Sequence, residues 1–143
     1  KANLDAVFLT TKTDLHWMQD AKKGAIVNVA SVVGLKGVAY MSAYGAAKAG
    51  LINFTRATAV EAAPHVRVNC IIPGAVLTPA TKRAIPDDEL MEATINTIPL
   101  KRIAKPIELA KPITFLLSSD ASFITGASLV VDGGKTADLN AGN

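Results

Sequence analysis

A chain of 143 residues, half of them hydrophobic and 19% charged, is long enough to bury one core and is composed like a globular domain. Its net charge of +3 comes without a clustered basic stripe and with seven aromatic residues, which argues against a nucleic-acid partner. No apolar run reaches the roughly 20 residues of a membrane span, no secretory signal is visible, and the single cysteine, Cys70, has no partner for an internal disulfide, so a reducing, cytoplasmic compartment is expected.

Residues 3 to 22 carry Leu4, Val7, Phe8, Leu15 and Met18 at helical spacing, and Gly24 ends that helix. "AIVNVAS", residues 25 to 31, is short, apolar and rich in β-branched side chains, and reads as a buried strand. A loop with two glycines leads to a second helix over residues 43 to 62, stopped by Pro64. "VRVNCII", residues 66 to 72, is a second strand closed by Pro73 and Gly74. Residues 75 to 104 are polar and contain three prolines, with one helical stretch near residues 87 to 96. A connector this long is expected to act as a lid over a site. Residues 106 to 118 form a third helix, with Pro106 suited to its first turn and Pro112 expected to kink or split it. "ASLVVDGG" is a third strand with a glycine exit, and the tail after it reads as loosely held.

Alternation of helices and strands predicts an α/β fold: a doubly wound parallel sheet with helices on both faces. Three strands make a thin sheet, and the first two read as buried on both faces and in need of neighbours. The chain also begins without methionine. The pattern therefore reads as residues 1–143 forming the C-terminal portion of a larger single domain whose N-terminal half is absent.

The segment "SAYGAAKAG" sets Tyr44 and Lys48 four residues apart on one helix face. A phenol with its ordinary pKa of about 10 exchanges protons poorly at neutral pH, and a neighbouring ammonium lowers that value. A pair so arranged can serve as a proton donor and its tuner. The motif is short enough to arise by chance, and two solvated side chains would look the same. Ser31 adds weight, because it ends the first strand, at the sheet edge where ligands of open parallel sheets bind. Pro73 and Gly74 turn the chain at the same edge, and glycine lets backbone approach a ligand closely.

Together these segments resemble the short-chain dehydrogenase/reductase family. "NVASVVGLKGVAYMSAYGAAKAGLINFTRATAVEAA" is similar to its serine, tyrosine and lysine segment; "VRVNCIIPGAVLTP" to its proline-glycine cofactor loop; "FLLSSDASFITGASLVVDGG" to its last helix and strand; and "NLDAVF" to the start of the helix that holds its catalytic asparagine, which falls on Asn3. The resemblance implies a Rossmann-like fold. It also implies NAD or NADP as cofactor and hydride exchange between the nicotinamide and a carbonyl or carbinol carbon of a small-molecule substrate. Tyr44 would be the acid/base, Ser31 would hydrogen-bond the substrate oxygen, Lys48 would hold the nicotinamide ribose and lower the Tyr44 pKa, and Asn3 would position a water linking Lys48 to solvent. Pro73 and Gly74 would lie along the nicotinamide, the Val76 amide would face its carboxamide, and Thr78 would reach the carboxamide or the phosphates. A homodimer or homotetramer is expected on the same ground, with 3-oxoacyl-carrier-protein reductases and sugar or cyclic-alcohol dehydrogenases as models for the substrate.

The family's glycine-rich phosphate turn has no counterpart in these residues. The alternative is therefore a non-catalytic remnant kept as a binding or oligomerisation piece. A serine hydrolase built on Ser31 and His65 lacks the Gly-x-Ser-x-Gly elbow, and His16, His65 and Cys70 show no metal-ligand spacing. His65 reads as a surface turn residue.

Overall fold

In the computed structural model, which describes residues 2–139, the Val- and Ile-rich runs become three parallel strands: β1 (Gly24–Val29), β2 (Val66–Pro73) and β3 (Ser128–Val131). They lie in chain order, β1-β2-β3. Gly24 pairs with Val66 and Val29 with Ile71, while Cys70 pairs with Ser128 and Pro73 with Val131. All three strands therefore leave the sheet at the same edge.

The period of two along β2 builds both layers of the core. Val66, Val68, Cys70 and Ile72 face helices α1 (Asp5–Asp20) and α2 (Ser42–Ala62), where they meet Ala30, Leu51, Ile52, Ala59 and Ala62. Ile71 faces the other way, against Leu109 and Leu116 of α5 (Pro106–Leu117) and against Ala121. Burying one such side chain contributes about 1.5–3 kcal/mol. Two polar residues share the Ile71 side. Asn69, fully buried, donates to Ile124 O at 2.8 Å and accepts from Ala127 N at 3.0 Å, stitching down the loop before β3. Arg67 donates to the carbonyls of Leu116, Ser118 and Ile124, closing the C-terminal end of α5.

Four expectations are corrected. Only β2 is mostly buried, at six of its eight residues: β1 is the sheet's margin among the described residues, half-exposed, with Val29 open to solvent. α5 is not split at Pro112 but runs through it. The proline removes a single bond, to the carbonyl of Glu108 in the first turn, while Leu109 and Leu116 hold the helix on β2. That first turn is also capped, since Glu108 accepts from Lys105 N at 2.8 Å and takes both arms of the Arg102 guanidinium at 2.7 Å, which holds its carboxyl down at about 2. Residues 75 to 104 hold two helices rather than one, α3 (Pro79–Ala84) and α4 (Asp88–Asn96), each started by a side-chain cap, from Thr78 and Asp87. The stalks of this segment meet at a bridge between Val76 and Ala104, where Leu77 N donates to Ala104 O at 2.8 Å and Ala104 N to Ala75 O at 3.1 Å. The beginning of the tail, finally, is a hydrogen-bonded turn: Thr136 N donates to Asp132, and Ala137 N and Asp138 N to Gly134 O. The last four residues of the tail lie outside the described residues.

Candidate active site

Ser31 follows β1 in extended conformation and is 8% exposed. Its Oγ accepts from Val33 N at 3.3 Å and so opens a 3-10 turn over Val32–Gly34. This turn rests directly on α2. A Cβ on Gly34 would lie 2.8 Å from Lys48 C and Ala49 N, and one on Gly45 would lie 3.0 Å from Val33 O. The two glycines let loop and helix touch backbone to backbone, which fixes the end of β1 against the first two turns of α2. A second tie lies deeper. Asn28 Nδ2 donates to Thr55 Oγ1 at 2.9 Å, and that hydroxyl donates to Leu51 O at 2.9 Å.

Tyr44 and Lys48 occupy successive turns of α2 on the side this arrangement presents at the strand exits. The Lys48 ammonium stands 5.7 Å from the centroid of the Tyr44 ring and donates to Val29 O at 2.8 Å. Burial lowers the Lys48 pKa, and Cys70 acts the other way. Cys70, buried beneath it in β2, has its own thiol pKa raised by burial.

The exit of β2 lies beside that of β1. Gly74 N donates to Val131 O at 3.0 Å, and a Cβ on Gly74 would lie 2.9 Å from Cα and Cβ of Asp132, so the Pro73–Gly74 turn is pressed onto the end of β3. Val76 sits in the bridge with Ala104, which uses the N–H of Leu77 and the carbonyl of Ala75 and not the N–H of Val76. The Thr78 hydroxyl accepts from Thr81 N at 3.2 Å and lies 3.0 Å from the Thr81 hydroxyl. Asn3 lies in an exposed turn before α1; its neighbour Leu4 packs over Gly50 of α2, with 3.2 Å to where a Cβ would lie, and against the cluster of Ala30, Leu51, Cys70 and Ile72.

The structure thus holds the Ser31 loop against the helix that carries Tyr44 and Lys48 and sets Pro73, Gly74, Val76 and Thr78 at or beyond the neighbouring exit of β2. His65, exposed, precedes β2 at the opposite ends of the strands, beside Gly24, so it shares no site with Ser31. Among the described residues no group of His, Cys, Asp and Glu is arranged to hold a metal, and no helix is long and apolar enough to cross a membrane. Sequence reasoning passed over Asp132, which sits behind Gly74. Its signal was an acidic residue followed by two glycines at a strand exit, the composition of a turn whose carboxylate binds its own backbone.

Comparison with known proteins identifies the family. The family model described as enoyl-(acyl carrier protein) reductase matches residues 1–136. The cyclopentanol dehydrogenase of Comamonas testosteroni is 42% identical over 137 residues, covering 95% of this chain and 55% of the relative. A 3-oxoacyl-acyl-carrier-protein reductase of Vibrio cholerae is 42% identical over 135 residues, covering 94% and 54%. The solved structure of ElxO with NADP bound superposes with a TM-score of 0.88 at 33% identity, covering 95% of this chain and 56% of that one. The chain spans about half the length of the curated relatives it matches. It belongs to the short-chain dehydrogenase/reductase family, as a Rossmann-like parallel sheet corresponding to part of that family's domain.

Proposed function

We propose that this chain carries the catalytic portion of an oxidoreductase that uses NAD or NADP to interconvert a ketone and a secondary alcohol. The observation that carries the reading is the backbone contact of Gly34 on Lys48 and Ala49, which holds Ser31 against the helix of Tyr44 and Lys48 at the strand exits. The names of the relatives agree in chemistry: a cyclic secondary alcohol for one, a 3-oxo group for another, and bound NADP in a third.

The donor set suits the nicotinamide end of such a cofactor. Lys48 has three N–H bonds, of which Val29 O takes one, and the others can hold ribose hydroxyls. Gly74 lets the β2 exit press onto Asp132, and the Val76 N–H, which the bridge with Ala104 does not use, can face a carboxamide. Thr78 would add a contact to the carboxamide or the phosphates. The cofactor, when bound, supplies or accepts hydride at the substrate carbon.

This chain's residues manage the oxygen. In reduction Tyr44 gives its phenolic proton to the developing alkoxide, and in oxidation it takes that proton back. The Lys48 ammonium stands 5.7 Å from the centroid of that ring. Ser31 uses Oγ as an acceptor towards Val33 N, so its own proton is available for the substrate oxygen. Two preset donors then face the charge that develops. Asn3 holds a water that links Lys48 to solvent. Residues 75–104 form the substrate lid. The exposed apolar residues Phe8, Leu9, Trp17 and Val60 of α1 and α2 supply the contact for a homodimer or homotetramer.

The test is Tyr44→Phe in the full natural polypeptide, assayed with cyclic secondary alcohols and 3-oxo compounds by nicotinamide absorbance. Loss of the acid/base lowers turnover about a hundredfold or more. Turnover retained above about a tenth overturns the assignment.

A further inference from the structure

The turn after β3 touches both halves of the site at once. On one side it backs the Pro73–Gly74 exit, where only the missing Cβ of Gly74 lets Asp132 approach. On the other it grips residues 97–100. Leu100 N donates to Gly133 O at 3.1 Å, and Lys135 Nζ donates to Thr97 Oγ1 at 2.9 Å. Gly133 lies over Ile98, which is buried, and a Cβ there would stand 2.7 Å from Ile98 Cγ2. Gly133 and Gly134 both adopt left-handed backbone, at φ 67° and 89°. The Asp132 carboxylate holds that shape. Oδ1 accepts from Gly134 N at 2.9 Å, and Oδ2 accepts from both Thr136 N and Thr136 Oγ1 at 2.7 Å. Burial pushes this carboxyl up, but the bonds from Thr136 and Gly134 together outweigh it and hold its pKa below the usual range. An amide in its place would set an NH2 or a single oxygen against three donors.

We propose that Asp132 is a positioning residue that clasps the root of the lid, residues 97–101, to the exit of β2, so that residues 78–96 alone swing when substrate enters and leaves. The proposal rests on the reading of residues 75–104 as the substrate lid. The two clasped parts answer to one turn: a shift of Gly133 moves Leu100, and a shift of Asp132 moves Gly74. A cavity of about 90 Å³ beside Ala75, Ile98, Leu100 and Val131 gives the root room to move once the clasp opens.

The test uses Asp132→Asn and the milder Thr136→Val in the full natural polypeptide. Amide hydrogen exchange over residues 97–101 is compared with that over residues 78–96, together with KM and kcat for the carbonyl substrate at saturating cofactor. Opening the clasp accelerates exchange at residues 97–101 by about tenfold or more and leaves residues 78–96 unchanged. KM rises about threefold or more, while kcat stays within about twofold. Thr136→Val, which removes one of the three bonds, moves both readouts in the same direction by less, and serves alone if Asp132→Asn does not fold. Unchanged exchange at residues 97–101 in an active enzyme overturns the clasp. Faster exchange with unchanged KM overturns its positioning role. A wild-type protein that turns over neither ketone nor alcohol overturns the oxidoreductase reading itself, and the positioning role with it.

Discussion

Replacing Gly34 by alanine adds one methyl group at the point where the Ser31 loop lies on α2. The new Cβ meets Lys48 C and Ala49 N at 2.8 Å, whereas ordinary contact begins near 3.4 Å, so about 0.6 Å of overlap must be relieved. Both atoms belong to the backbone in the middle of a helix and do not yield as a side chain would. Gly34 is not in left-handed backbone, so the cost is steric and not conformational. Overpacking of this kind costs about 1–3 kcal/mol, and a clash with two backbone atoms places Gly34→Ala near 2 kcal/mol. The relief moves the loop and Ser31 away from Tyr44, and a displacement of that size lowers turnover about tenfold or more. Gly37→Ala, three residues on, is the control. Nothing lies within 4 Å of its Cβ, so the variant stays within about 0.5 kcal/mol of the parent or gains slightly from a stiffer unfolded chain. Urea unfolding midpoints of the two variants in the full polypeptide measure the difference. Coincident midpoints would refute the claim that Gly34 sets the contact.

Two further predictions follow from charge. Burial lowers the folded-state pKa of Lys48, so between that lowered value and the ordinary 10.5 the unfolded chain binds more protons and stability rises with pH. Lys48→Met removes a desolvated charge and makes the protein more stable at neutral pH, with an advantage that shrinks as pH approaches about 10; unfolding midpoints showing a less stable variant, or an advantage that grows with pH, would refute this. Arg67→Met takes this donor from the carbonyls of Leu116 and Ser118 at the end of α5, while Ile124 O keeps its bond from Asn69, and costs about 2–3 kcal/mol, whereas a loss below about 0.5 kcal/mol would show that water replaces the guanidinium freely.

The elements that carry the proposed chemistry were legible because their signals are local. The apolar β-branched runs of β1 and β2 and the spacing of Tyr44 and Lys48 each depend on neighbours in sequence. What was missed depends on contacts across the chain. Gly34 reads as a loop glycine until α2 is seen against it. Asp132 reads as one acid in a turn until Gly74 and Leu100 are seen on either side. Pro112 reads as a breaker because its lost bond is visible in sequence, while the burial of Leu109 and Leu116 against Ile71 is not. The helix α3 is a different case. Thr78 and Pro79 form an N-cap and first-turn pair that was present in the sequence, but the six residues they start are too short to show a periodic pattern.

The bridge of Val76 with Ala104 has a bearing on how such proteins diversify. It brings the two stalks of residues 75–104 to adjacent points, so the chain leaves and rejoins the sheet at nearly one place. Lengthening or recomposing residues 79–96, which leaves Arg102 on Glu108 and Leu100 on Gly133, shifts neither β2 nor α5, and extra loop residues carry only a small entropic cost. Ser31, Tyr44 and Lys48 all lie earlier in the chain, within a single run of 18 residues. The stretch beyond the bridge can therefore change in length and composition without touching that run.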